Sequence, residues 1–216
     1  DFAEQAALYA NEEADGQEGV ALLRNLATLE IPEASNQALQ RFNQAAALAE
    51  NRFFDANLAI GLLRDARRVQ PTDETTVKNL ERVLEATDRI PEKIELLQDL
   101  AELETSAGNR QEALKLLVRT GRSQREQLED IDAALASYGK ALDLQPDYEP
   151  ALQAVRASIA AEEEAATGRF MLADAYKRSG DDAKRIDILQ EILDSDDLKV
   201  DEDVSQVYLD LATTRW

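Results

Sequence analysis

The sequence contains no cysteine and no histidine among its 216 residues. Without cysteine there is no disulfide, no thiolate nucleophile and no cysteine-bound zinc. Without histidine the chain lacks the commonest general base and the commonest metal ligand. We therefore expect no catalytic residue, no metal site and no cofactor, and a protein that is not an enzyme.

Glycine, proline and aromatic residues are also scarce, with 8 glycines, 5 prolines and 5% aromatic side chains. The chain is instead rich in alanine, leucine and glutamate, which favour helix. Residues of high strand propensity never alternate over the length of a strand. These features predict an all-α fold.

Basic residues are also few. The chain has 24 basic and 44 acidic residues, which gives a formal net charge of −20. Such a chain repels phosphate backbones and anionic lipids, which argues against nucleic acid and membrane surfaces as partners. The sequence shows no transmembrane run, signal peptide or lipidation motif. We expect a protein or peptide partner and no membrane insertion. The sequence does not fix the compartment, although the cytoplasm is favoured. The alternative interpretation of the acidic surface is that it keeps the protein soluble and says nothing about partners.

Apolar residues recur at helical spacing along most of the chain. Asp55 and Asp130 stand where N-caps are needed, and Gly108 and Gly180 mark turns. The Ile-Pro pairs at 31–32 and 90–91 predict breaks, because the residue before proline is pushed out of the α region. The clearest apolar stripe consists of Ala38, Leu39, Phe42, Ala45, Ala46 and Ala49. The predicted helices are 2–14, 18–29, 33–51, one from Asp55 to Val69, one carrying Val77 to Leu84, 92–107, 110–128 (one bent helix or two short ones), 131–145, 148–166, 169–179, 182–194 and one opening at Val204.

An internal echo links residues 55–71 to residues 130–146, an offset of 75 positions. Ala59, Ala66, Gln70 and Pro71 recur as Ala134, Ala141, Gln145 and Pro146. Self-similar helical units are the signature of a solenoid, in which each unit buries its apolar face against its neighbours.

The echoed residues resemble the tetratricopeptide repeat. Its second-helix pattern is matched by Ala134, Tyr138, Ala141 and Pro146, and its first-helix pattern by Leu172, Ala173, Tyr176 and Gly180. The resemblance implies a right-handed α-α superhelix, a solenoid of antiparallel helix hairpins. It further implies one repeat domain over residues 1–216, a fragment of a longer array, whose concave face binds peptides or protein surfaces. Tyr138 and Tyr176 are predicted to pack between helices rather than to stack on a ligand.

Seven residues are candidates for partner binding. The resemblance places Gln98 and Glu102 of one first helix, and Phe170, Asp174 and Lys177 of another, on the groove side. Arg119 and Arg122 belong to a basic stripe that begins at Lys115 and would grip a carboxylate-rich partner. Glu112 and Glu126 lie within helical reach of that stripe, so simple pairing along the helix is the alternative. Because Lys177 alone is basic among the groove-side residues, capture of a C-terminal carboxylate is not expected.

The acidic tract at 194–203 is interpreted as a solvated loop. A calcium loop starting at Asp194 would need glycine and glutamate where Lys199 and Ser205 stand. The run Glu162-Glu163-Glu164 is likewise interpreted as exposed charge, since consecutive helical residues point in different directions.

The last predicted helix carries an apolar face made of Val204, Val207, Tyr208 and Leu211. An uncovered end predicts end-to-end self-association or a further part of the array; the alternative is packing back onto 182–194. The function expected is that of a scaffold or adaptor. A non-catalytic regulatory or substrate-recruiting arm of a larger enzyme, and a structural subunit of an assembly, remain as alternatives.

Overall fold

All regular secondary structure that is described in the chain is helical. The computed structural model describes residues 16–31, 35–161, 165–194 and 209–213. The helices are α1 Gly16–Glu30, α2 Ser35–Phe53, α3 Ala56–Val69, α4 Glu74–Ala86, α5 Ile90–Ser106, α6 Arg110–Gln127, α7 Ile131–Leu144, α8 Glu149–Ala160, α9 Ala165–Ser179 and α10 Asp182–Asp194, with a further helical stretch at 209–213. Predicted helix 2–14, the Glu162–Glu164 run, the loop beyond Asp194, and Val204, Val207, Tyr208 and Trp216 lie outside the described residues.

The helices are grouped in two compact units, with the boundary between Lys93 and Ile94 inside α5. In the first unit, α1 packs on α2, α2 on α3 and α3 on α4. In the second unit, α6 to α10 do the same, and α7 also contacts α9. Because the connections are short, neighbouring helices run antiparallel. The predicted all-α fold of helix hairpins is confirmed, and one domain spanning 1–216 stays a prediction.

Local signals in the sequence set most of the helix ends. Asp55, Asp73 and Asp130 each accept a hydrogen bond at 2.8–2.9 Å from the backbone N–H three residues on. Gly108 and Gly180 adopt left-handed conformations, with φ of 79° and 76°, which close α5 and α9 at no steric cost. The predicted caps at Asp55 and Asp130 and the predicted turns at Gly108 and Gly180 are confirmed.

The core is built from the predicted apolar stripes. All six residues of the α2 stripe are buried. Ala66, Ala134 and Ala141 have no exposed surface, which lets helix axes approach to about 8–10 Å. Tyr138 and Tyr176 are 2% and 3% exposed. The hydroxyl of Tyr176 accepts a hydrogen bond from Nη2 of Arg156 at 2.6 Å. Both tyrosines therefore pack between helices as predicted.

Gly121 explains why the segment 110–128 was ambiguous in sequence. The structure forms one helix there, α6. A Cβ built on Gly121 would lie 2.4 Å from Cε1 and 2.7 Å from Cδ1 of Tyr138. The glycine is thus a close-approach site for a tyrosine ring and not a helix break.

Three predicted helix boundaries are corrected by the structure. The Ile90-Pro91 pair opens α5 instead of separating two helices, because proline is tolerated in a first turn, where its missing N–H would be unpaired. The predicted helix 148–166 ends at Ala160, and the helix predicted from 169 begins at Ala165. Gly168 permits this hairpin, since a Cβ there would lie 2.7 Å from Cγ1 of Ile159. Alanine content predicts helix but not where packing ends it.

Ion pairs hold several helices side by side within the first unit. Both carboxylate oxygens of Glu50 accept hydrogen bonds from Arg82, at 2.5 and 2.6 Å, joining α2 to α4. This contact holds the pKa of Glu50 below its ordinary value of 4.5, against a smaller opposing effect of burial. Arg64 pairs with Glu92.

A buried arginine connects α10 to the last described stretch. Arg185 has a side chain that is 8% exposed, and its Nη2 lies 2.9 Å from Oδ2 of Asp210. Leu211 is half-buried, whereas Leu209 is 57% exposed. End-to-end self-association stays a prediction.

Candidate binding groove

A groove of about 510 Å³ lies in the second unit between α5 and α7, with α6 beneath it. Its lining combines apolar and polar side chains in one concave surface. The lining residues are Gln98, Ala101, Glu102, Thr105, Ser106, Leu117, Ser137, Lys140, Asp143 and Leu144.

Helical periodicity places these side chains on one face of each helix. On α5, Gln98, Glu102 and Thr105 are spaced by four and three residues, the spacing of a single helical face. On α7, Ser137, Lys140 and Leu144 follow the same rule. The remaining faces of the two helices carry core residues such as Leu97 and Tyr138, both buried. Burying those faces leaves Glu102 and Thr105 of α5 and Lys140 of α7 exposed along the groove, with Ser137 buried beneath them.

The floor of the groove is closed by small and apolar groups. Ala101 is 2% and Leu117 is 8% exposed. Beside them, the hydroxyl of Ser137 donates to Oε1 of Gln124 at 2.6 Å, and both side chains are buried. The hydroxyl of Thr105 donates to the backbone oxygen of Ala101 at 2.7 Å. These hydroxyls satisfy internal acceptors, which suits a fixed surface rather than a nucleophile.

Charged residues form the rim, and an arginine extends it to α9. Oδ1 of Asp143 lies 2.9 Å from Nη1 of Arg178, whose Nε lies 2.8 Å from Oδ2 of Asp174. Glu102 and Lys140 are exposed along the same groove. Asp174 on α9 is therefore joined by ion pairs to Asp143 at the rim, while Gln98 and Glu102 line the same groove from α5.

Two further candidates lie on α9 near this row. Phe170 is one helical turn before Asp174 and is 40% exposed. Lys177 is exposed on the same helix. Neither lines the groove, so they are candidates for the edge of the binding surface.

The basic stripe on α6 lies outside the groove. Arg119 and Arg122 are exposed but do not line it. Lys115 donates to Oε2 of Glu112 at 2.9 Å, and this hydrogen bond raises the pKa of Lys115. Pairing along the helix, one of the two interpretations of the stripe, therefore accounts for Lys115.

Within the described residues, no cluster of three or more acidic side chains is arranged to hold a metal ion. None of the described helices is both long enough and apolar enough to cross a membrane.

Comparison with known families bears on the hairpin that carries the groove. The family model of the tetratricopeptide repeat matches residues 121–148, the end of α6 and all of α7. This segment is similar to a tetratricopeptide repeat. The predicted relationship is confirmed, and proteins that contain such repeats generally bind proteins or peptides.

The chain was also compared with solved structures and with curated proteins. The chain is similar to a solved structure of nearly identical TPR-like repeats from a Podosopora anserina kinesin light chain, with 18% identity and a TM-score of 0.41, over 88% of this chain and 90% of that chain. No curated protein matches the chain.

The tetratricopeptide repeat also corrects one predicted register. In the matched repeat α7 is the second helix. Helix α9 lies beside α7, as the bond between Arg178 and Asp143 shows, and Gly139 would touch Met171 if it had a Cβ. In an alternating array every second helix shares a layer, so α5 and α9 both occupy second-helix places, although the resemblance predicted each of them as a first helix. Small residues such as Ala134 and Ala173 serve contacts in both helices and do not distinguish them.

The same register explains which groove residues were missed. Ser137, Lys140 and Asp143 were not predicted, because α7 matches the second-helix pattern and the resemblance placed the groove-side residues on first helices. A sequence signal did exist, since Lys140 and Asp143 are charged positions three residues apart beside the alanine face of α7.

Proposed function

We propose that the chain is a scaffold that binds a partner protein or peptide in the groove between α5 and α7. The main support for this proposal is the groove, which has an apolar floor surrounded by a polar rim. The floor of Ala101, Leu117 and Leu144 would take an apolar side chain out of water. The rim residues Glu102 and Lys140 would orient the partner through charged hydrogen bonds.

The size and composition of the groove support binding of a peptide segment. Its volume of about 510 Å³ falls in the range of about 300–1,000 Å³ that is typical of ligand pockets. Gln98 and Glu102 are the central contacts in this proposal, and Phe170, Asp174 and Lys177 extend the surface on α9. Arg119 and Arg122 form a separate surface of α6 for an acidic partner.

The test compares proteins captured by the full chain with those captured by groove variants. Glu102→Arg and Lys140→Glu each reverse one rim charge. Asp187→Arg, on exposed α10 surface outside the groove, makes the same charge change as Glu102→Arg and is the matched control. Proteins identified by mass spectrometry are then purified for affinity measurements.

We expect at least one protein whose affinity falls about tenfold or more with the rim variants, equivalent to about 1.4 kcal/mol of binding free energy, and is unchanged with Asp187→Arg. If every captured protein bound all variants equally, the groove would not be the binding site.

A further inference from the structure

The internal echo of the sequence extends to the loops that close two hairpins. Hairpin α2–α3 corresponds to hairpin α6–α7 at the same offset of 75 positions. In the first loop the N–H of Asp55 donates to the oxygen of Ala49 at 2.9 Å, and in the second the N–H of Asp130 donates to the oxygen of Gln124 at 3.0 Å. Each aspartate also caps the helix that follows. The two loops are therefore two copies of one structure.

One residue in each loop adopts the left-handed conformation. Phe54 has φ of 53° and the equivalent Glu129 has φ of 54°. A residue with a Cβ is strained in this region, and glycine is the usual choice at such a helix end. The loop therefore requires a left-handed residue at this position. A bulky aromatic residue is poorly suited to that conformation.

The phenyl ring of Phe54 has no structural role in the described part of the chain. Phe54 is 87% exposed, more than any other large apolar residue there. The equivalent loop closes with the same geometry around an exposed glutamate. An apolar ring that neither joins the core nor suits its backbone conformation points to a role outside the fold.

We propose that Phe54 is an anchor that inserts into an apolar pocket of a different protein. Buried aromatic side chains carry much of the binding energy of protein interfaces. The capped helix on one side and the loop hydrogen bond on the other hold the backbone of Phe54 in one conformation before binding, which lowers the entropic cost of association. This surface, in the first unit, is independent of the groove.

The charge of the chain identifies the kind of partner. With a net charge of −20, two copies of the chain repel each other, so a second copy is a poor occupant. Asp55 adds a carboxylate directly beside the ring. The complementary surface is an apolar pocket with a basic rim on another protein.

The test places a photo-crosslinking phenylalanine analogue at position 54 of the full chain, and at position 129 as the matched control. Irradiation in an extract of the source cells should give a product with another protein from position 54 alone. That protein is then purified, and its affinity is measured for the native chain and for Phe54→Glu, Phe54→Gly and Glu102→Arg.

We expect Phe54→Glu and Phe54→Gly to lower the affinity by about 30-fold or more, the effect of losing a hot-spot residue. Thermal unfolding of Phe54→Glu should match that of the native chain, because Glu129 closes the same loop. Phe54→Gly should unfold at a higher temperature while it loses affinity, which separates binding from folding.

Several results would overturn the proposal. These are equal crosslinking from positions 54 and 129, a crosslinked dimer of this chain, binding to phosphatidylcholine vesicles that depends on Phe54, or an unchanged affinity of Phe54→Glu. Loss of the crosslinked protein's affinity with Glu102→Arg but not with Phe54→Glu would assign that protein to the groove and would also overturn it.

Discussion

Replacing Gly121 with alanine would press a methyl group into the ring of Tyr138. The added Cβ would lie 2.4 Å from the nearest ring carbon, whereas carbon atoms pack at about 3.5–4.0 Å. Tyr138 is 2% exposed, so the ring has no free space to turn into. The ring or the α6 backbone must shift by about 1 Å within a close-packed core.

The size of the effect follows from two opposing contributions. Overpacking a core costs about 1–3 kcal/mol, and alanine gains about 1 kcal/mol over glycine in a helix interior. Because a rigid ring is the obstacle, we expect Gly121→Ala to lower the free energy of unfolding by about 1–2 kcal/mol. Gly61 in α3 is the control, since a Cβ there would meet no atom within 4 Å. Gly61→Ala should raise the free energy of unfolding by about 0.5–1 kcal/mol.

The echo provides a rescue variant. Ala46 and Leu63 hold the places of Gly121 and Tyr138 in the first hairpin, and both are buried. Adding Tyr138→Leu to Gly121→Ala copies that pair, so the alanine should cost less in the leucine background than beside tyrosine. Urea denaturation followed by circular dichroism measures all four states of this cycle, and neighbours in contact typically couple by about 0.5–3 kcal/mol. Strictly additive effects, or equal shifts for Gly121→Ala and Gly61→Ala, would refute the packing argument.

Two ionic contacts give further predictions. Because its folded-state pKa is lowered, Glu50 contributes stability above its unfolded pKa that is lost as the pH falls through the folded value. Glu50→Gln should therefore lower the free energy of unfolding by up to about 1 kcal/mol at neutral pH, a small effect because Arg82 is largely exposed. The denaturation curves of the variant and the native chain should converge in acid. A difference that stays constant with pH would contradict this. Asp210→Asn leaves the charge of Arg185 without a carboxylate and should cost about 1–3 kcal/mol, seen as faster hydrogen exchange at 209–213. Arg185→Met in that background should restore part of the loss, and unchanged exchange in Asp210→Asn would show that the ion pair does not hold the segment.

The features that were predictable from sequence depend on nearby residues. Asp55 and Asp130 cap helices through N–H groups three residues away, and Gly108 and Gly180 end helices through their own backbone conformation. The role of Gly121 depends on Tyr138, a partner in the next helix, so its local sequence left two structures open. The end of α8 at Ala160 is likewise set by packing against α9, which alanine content does not encode.

The candidate site was predictable only where the repeat pattern pointed to it. Gln98 and Glu102 were predicted on the groove side of a first helix, and they line the groove between α5 and α7; their part in partner binding stays a prediction. Lys140 and Asp143 were missed because α7 was predicted as a second helix and the groove was expected on first helices. A motif of small residues indicates that two helices are in contact. It does not indicate which surface of the array carries a groove, because that depends on which helices share a layer.

The pairwise packing of consecutive helices also determines how the chain folds. In the described units each helix contacts mainly the next one or two helices, so most native contacts join residues that are close in sequence. Such low contact order is typical of chains that fold within microseconds to milliseconds. During synthesis, α1 to α4 can pack as they emerge, before the residues of the groove have been made. The surface that carries Phe54 is therefore complete before the groove on the ribosome-bound chain.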